Sequence, residues 1–165
     1  MPDKLEIQIK ELQKNKVDLV FSDSYVFNND EILDVSQKMN VHTGVFYDKS
    51  SLELFLKENR IPILTVVVKK DKVINVGSFS EKLDIQNVED YHLWLKLLLS
   101  NGVFYSSDHI LAKYRVHGNS ATSNDKVALD KIPTAFYDLL QIYPSYKKQI
   151  EQELKLKFKS IYKRN

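Results

Sequence analysis

The chain has 165 residues, 43% of them hydrophobic and 28% charged, the length of one domain with enough apolar surface for a core. The lack of cysteine excludes disulfides, zinc–cysteine sites and thiol catalysis, and no run of about 20 apolar residues is present to span a bilayer. The opening residues contain no apolar signal segment, and a net charge of +2 gives no ground for nucleic-acid binding, so the chain reads as soluble and cytoplasmic.

Residues 3–15 read as a helix, with Leu5, Ile9 and Leu12 on one face and Asp3 at its start. Val17 to Phe21 follows as a short buried strand closed by Ser22-Asp23-Ser24, with Tyr25 to Phe27 as an extension. A helix leading into a buried strand is the second part of a β-α-β unit. A further strand is expected at 44–47 and a helix at 51–58, where Ser50 and Glu53 form a capping box. Ile63 to Val68 has strand composition, Lys69 to Lys72 reads as an exposed turn, and Gly77 is a tight-turn position. Residues 88–100 form the clearest helix, capped by Asn87, stopped by Asn101-Gly102 and apolar almost all round. Residues 103–105 and 110–114 read as two strands, followed by a polar loop to Asn124. Helices at about 126–142 and 145–163 end the chain. The fold class is α/β with a mixed sheet, flanking helices and a C-terminal helical pair.

Charge is unevenly spread. Residues 146–165 hold seven basic side chains and two acidic ones, a local +5, which leaves −3 on the first 145. Ile150, Leu154, Phe158 and Ile161 form an apolar stripe flanked by lysines. The stripe either packs onto the domain or lies on anionic lipid, a peripheral contact at the inner membrane face.

Three places could carry chemistry. Glu89 and Asp90 open a helix, where acids complement the macrodipole; the same position suits a carboxylate base at the mouth of a site. Arg115 and His117 stand at a strand end before a small polar loop. They are either surface residues or a pair for diphosphate and metal, since guanidinium forks suit phosphate and imidazole suits Mn²⁺-class ions. Asp23, after a buried strand, either lines a pocket or closes the strand in an Asx turn. His42, His92 and His109 share no metal-ligand spacing and read as structural. The Walker A, G-x-S-x-G, H-E-x-x-H and dinucleotide motifs are all absent.

In order, these segments resemble bacterial family 2 glycosyltransferases of the GT-A fold. The resemblance rests on Pro2-Asp3-Lys4-Leu5-Glu6, Asp18-Leu19-Val20-Phe21-Ser22-Asp23, Gly77-Ser78-Phe79-Ser80-Glu81, Val88-Glu89-Asp90-Tyr91-His92-Leu93-Trp94, and Tyr114-Arg115-Val116-His117-Gly118-Asn119-Ser120. These are similar to the family's segment after its metal-binding motif, its G-G-F-x-E segment (with Ser78 for the second glycine), its x-E-D helix and its closing Y-R-x-H-x-x-S strand. The matches cover residues 1–123, which the resemblance makes the acceptor-side half of a partial, Rossmann-like GT-A domain; residues 124–165 are then C-terminal helices with a basic tail.

The resemblance implies an inverting transfer from a nucleotide sugar to a hydroxyl of a glycan or lipid-linked acceptor. Asp90 would be the base with Glu89 beside it, Gly77, Arg115 and Asp23 would lie on the substrates, and His117 would meet a divalent metal, Mn²⁺ or Mg²⁺, on the diphosphate. The family's donor-binding half and D-x-D motif have no counterpart in this sequence. The expectation is therefore a chain inactive alone, completed by a donor-half partner or by self-association through an exposed sheet edge. The alternative is a noncatalytic α/β sugar-binding or protein-interaction module derived from such an enzyme.

Overall fold

The computed structural model describes residues 1–28, 38–116 and 125–162. Helix α1 (Lys4–Lys14) leads into β1 (Leu19–Asn28); β2 (Gly44–Phe46) and α2 (Lys49–Lys57) follow. A 3₁₀ turn (Ile63–Thr65), β3 (Val67–Val68) and α3 (Lys70–Asn75) precede α4 (Glu89–Leu99). Strand β4 (Phe104–Val116) and helices α5 (Asp125–Ile142) and α6 (Lys147–Tyr162) complete the described elements.

The sheet is mixed and open, in the order β2-β4-β1-β3. β1 and β4 run parallel at its centre, and β2 and β3 are antiparallel to their neighbours. This is the expected α/β class with a mixed sheet. β4 is one strand where the sequence suggests two, because the residues between the two apolar runs bulge without leaving the ladder. Register passes from Phe21↔Ser106 to Asp23↔Ile110 and then to Ser24↔Ala112, so β4 takes more residues than β1 over the same length. β2 pairs only with Phe104 to Ser106, and β4 beyond Ser106 has no strand on its outer side among the described residues.

One core joins both halves of the chain. Leu19, Phe21 and Phe104 from the sheet pack with Phe55, the residues of α4, and Phe136, Leu139, Ile150 and Leu154 of the last two helices. Phe55 makes edge-on contacts with Phe21, Phe46 and Phe104 at centroid distances of 6.3, 5.2 and 6.0 Å. The stripe on α6 is thus turned inward at Ile150 and Leu154, which favours packing onto the domain over the lipid contact. No helix among the described residues is long and apolar enough to cross a membrane.

Four local expectations are corrected. Helix α2 begins at Lys49 and is capped by Asp48, whose Oδ1 accepts from Ser51 N at 2.8 Å and from Ser51 Oγ at 2.7 Å; Ser50 does not cap it. Residues 63–65 form a 3₁₀ turn because Thr65 donates from Oγ1 to Pro62 O at 2.7 Å and accepts there from Ser22 N at 3.3 Å, diverting the backbone from the ladder. Lys69 to Lys72 enters a helix in place of a turn. This brings Lys69 and Lys72, three apart and therefore on one face, to the buried carboxylate of Asp18 at 3.1 and 3.4 Å. Finally, Asn87 does not cap α4; it has φ +74°, and Val88 stands at the cap position without a side-chain bond. Gly102, by contrast, ends α4 as expected. Its N–H bonds Leu97 O at 2.8 Å, and a Cβ there would lie 2.6 Å from that same oxygen.

Candidate functional site

The site is built around the first turn of α4. Asp90 Oδ1 accepts from the N–H of Tyr91 at 2.6 Å, and its Oδ2 accepts from Asn59 Nδ2 at 3.1 Å. Asn59 Oδ1 takes the N–H of Ile61 at 3.2 Å, which fixes the amide so that its NH₂ group faces the carboxylate. Burial raises the pKa of Asp90, and the charge of Glu89 adds to the rise; the bonds from Tyr91 and Asn59 oppose it. The result is a carboxylate more basic than an exposed one, held by two donors. Glu89 Oε2 is buried without a hydrogen-bond partner among the described residues.

Asp90 opens onto a cavity of about 530 Å³. One wall is the segment from Met39 to His42, a second runs from Glu58 to Leu64, and Tyr114 closes it near the carboxyl end of β4. Arg60 forms an ion pair with Glu58, and its Nη1 lies 3.1 Å from His42 Nδ1. Polar groups with fixed partners thus alternate with the apolar surfaces of Val41, Ile61 and Pro62. Among the described lining residues, the two carboxylates of Glu58 and Asp90 outnumber the one guanidinium of Arg60. That balance favours a neutral, hydroxyl-rich ligand over a phosphate.

The last turn of α2 is held by side chains of α4 and α6. Tyr91 Oη donates to Phe55 O at 2.8 Å and to Leu56 O at 2.7 Å, and Lys157 Nζ of α6 donates to Lys57 O at 2.6 Å. These carbonyls belong to the last turn of α2, which has no partners of its own for them. Asn59 follows that turn directly.

The other residues proposed from sequence fall in different places. Asp23 lies inside β1 at the register shift and so does not close the strand. Its Oδ1 accepts from Ser24 N at 2.8 Å and from Met39 N at 3.1 Å, so it braces the cavity wall that begins at Met39 without lining the cavity. Gly77 ends α3 at φ +82°, outside the cavity lining, and a Cβ there would meet nothing within 4 Å. Arg115 is exposed on β4 opposite Phe27 and is not part of the lining. His117 lies outside the described residues. Near Asp90 the described carboxylates and imidazole do not converge into a three-ligand set, so the described residues provide no metal centre at the cavity.

His92 is structural, as expected: it is buried, with Nε2 3.0 Å from Asp138 Oδ2. Tyr114, the first residue of the Tyr114-Arg115-Val116-His117 segment, lines the site, and His42, Asn59 and Arg60 enter it although no motif in the sequence marks them. Their only signal is a polar Asn-Arg pair at a helix exit before Ile61-Pro62.

No protein-family model matches the chain. It is similar, however, to an Escherichia coli protein, UDP-Glc:alpha-D-GlcNAc-diphosphoundecaprenol beta-1,3-glucosyltransferase WfgD. The two are 31% identical over 123 residues, which is 74% of this chain and 44% of that protein. The relationship is to a glycosyltransferase. The chain spans less than half the length of this relative.

Proposed function

We propose that these residues form the acceptor side of an inverting, nucleotide-sugar-dependent glycosyltransferase, with Asp90 as its base. The observation that carries this reading is a partly buried carboxylate of raised pKa, held by Asn59 and the Tyr91 N–H at the mouth of a polar cavity. An acceptor hydroxyl bound there gives its proton to Asp90 as its oxygen attacks the anomeric carbon of the donor. The bond from that carbon to the diphosphate breaks, and its electron pair leaves with the diphosphate. Asn59 orients the carboxylate, and Arg60, His42 and Asn40 offer hydrogen bonds to further sugar hydroxyls. By likeness to the relative, the donor is a UDP-sugar and the acceptor a lipid-linked sugar, whose diphosphate stays outside this slightly negative cavity.

In this reading a divalent metal in the complete enzyme, Mn²⁺ or Mg²⁺, stabilises the departing diphosphate. The donor-binding half comes from sequence outside residues 1–165 or from a separate chain. Residues 1–165 alone are expected to be inactive, because one base without a donor site leaves the reacting atoms unpositioned.

The test is transfer from UDP-[¹⁴C]glucose to a synthetic lipid-diphosphate N-acetylglucosamine. Residues 1–165 are assayed alone and joined to the donor-binding half of the E. coli relative. Transfer is expected only from the joined protein, and Asp90→Asn should lower its rate by about 10²–10⁴-fold. Turnover by residues 1–165 alone would refute the half-site. An unaffected Asp90→Asn rate would refute the base. Acceptor binding without transfer in the joined protein would favour the sugar-binding module.

A further inference from the structure

We propose that Glu11, Asp108 and His109 form a divalent-cation site that fastens α1 to the bulge of β4, with Zn²⁺ the best-fitting ion. The bulge is what brings them together. Between Phe21↔Ser106 and Asp23↔Ile110, β4 advances further than β1, and the residues it gains are carried out toward the last turns of α1. One ligand atom from each of the three side chains lies within 4.8 Å of the other two. His109 Nε2 and Asp108 Oδ1 are 3.8 Å apart. Two ligand atoms each about 2.1 Å from a common ion are separated by roughly 3–4 Å, which the Asp108–His109 pair matches.

A further observation points to a ligand. Glu11 Oε2 is buried with no hydrogen-bond partner among the described residues, although Glu11 Oε1 is held by Ser107 Oγ at 2.8 Å. A buried carboxylate oxygen left without a donor is costly, and a cation satisfies it. Ser107 orders the group from behind, since its Oγ also accepts the N–H of His109 at 3.2 Å.

One imidazole with two carboxylates suits Zn²⁺ and, more weakly, Mn²⁺, whereas Mg²⁺ prefers all-oxygen octahedral surroundings. None of the three residues lines the Asp90 cavity, so the site stands apart from the proposed transferase chemistry. Its consequence is mechanical: the ion joins the helix that precedes β1 to the strand that pairs with it.

The experiment uses residues 1–165 stripped with EDTA and then titrated with ZnCl₂, MnCl₂ and MgCl₂, with calorimetry and thermal unfolding as readouts. Expected are one Zn²⁺ per chain, a rise in Tm, weaker binding of Mn²⁺ and none of Mg²⁺. Glu11→Gln and His109→Ala should each weaken Zn²⁺ by about tenfold or more, and Ser107→Ala should weaken it measurably. His109 is exposed, so its variant folds and keeps the test clean. The proposal is overturned if Zn²⁺ does not bind, or if binding survives both ligand substitutions and is lost in His42→Ala.

Discussion

Replacing Tyr91 by Phe removes one oxygen and tests how the site is held. Tyr91 is 3% exposed, and its hydroxyl donates to both Phe55 O and Leu56 O. Those carbonyls lie in the final turn of α2, beyond the reach of the helix's own N–H groups. Phenylalanine preserves the ring and its contact with Phe136 at 6.1 Å, so little packing is lost. What remains is a pair of buried carbonyls with a donor removed, and each group so left costs on the order of 1–3 kcal/mol. The two share one hydroxyl, so the expected loss is about 2 kcal/mol. Against a total stability of roughly 5–15 kcal/mol that is a large fraction. Urea unfolding reads it as a lower midpoint with an unchanged slope. In the joined transferase, the same variant should slow turnover through looser placement of Asn59 against Asp90. A midpoint shift equivalent to less than about 0.5 kcal/mol would refute the capping argument, because the hydroxyl would then be replaceable by water.

Three other outcomes follow from the charges. His92 is held neutral: burial, then the charge of Lys96, lower its pKa from 6.5 to about 4, against the opposing pull of Asp138. Protons therefore bind the unfolded chain first, and stability is lost as pH falls from about 6.5 to about 4, by roughly 3 kcal/mol; the difference between wild type and His92→Gln across that window measures it. For Asp18, burial alone would raise the pKa, but the Val103 N–H, Lys69 and Lys72 together lower it. Its stabilisation is present above the unfolded value and disappears as pH falls through the folded one, so Asp18→Asn should cost stability at pH 7 and little in acid. Asp90 has the opposite sign, its pKa being raised first by burial. Asp90→Asn should therefore lose less stability at neutral pH than Asp18→Asn, and equal losses in urea titrations would contradict the environment described for it.

Much of the fold is legible in the sequence because period and composition agree there. The apolar α4, the β1 run and the C-terminal helix pair all stand where their patterns place them. The failures share a cause. Lys69-Lys70-Asp71-Lys72 looks like a solvent-facing turn until Asp18, far away in sequence, supplies a buried counter-charge. The β-branched run from Ile63 to Val68 looks like a strand until Thr65 bonds Pro62 and Ser22 in place of a ladder partner. Asp90 is legible as a helix-start acid, but its partner Asn59 is not. Nothing local in Glu58-Asn59-Arg60 shows that a later helix will dock against it.

The same reasoning explains where the cavity comes from. α2 has three carbonyls at its exit that its own backbone cannot satisfy, and they are taken by Tyr91 from α4 and Lys157 from α6. Burial lowers the pKa of Lys157, with Glu153 and Glu58 opposing, and its ammonium sits 5.4 Å from the Phe136 ring centroid and 5.8 Å from that of Tyr91. A lysine in a basic tail thus reaches the helix exit that presents Asn59 to Asp90. Lys157→Met keeps the apolar stem and removes the donor, so it should lower stability and loosen the Asn59 wall without altering the charge on Asp90 itself. Lys157→Arg can restore a donor but not the compact fit over two rings, and should recover stability only in part. If Lys157→Met left both urea stability and the turnover of the joined protein unchanged, the helix exit would be ordered by α2 and α4 alone, and the C-terminal helices would serve the core but not the site.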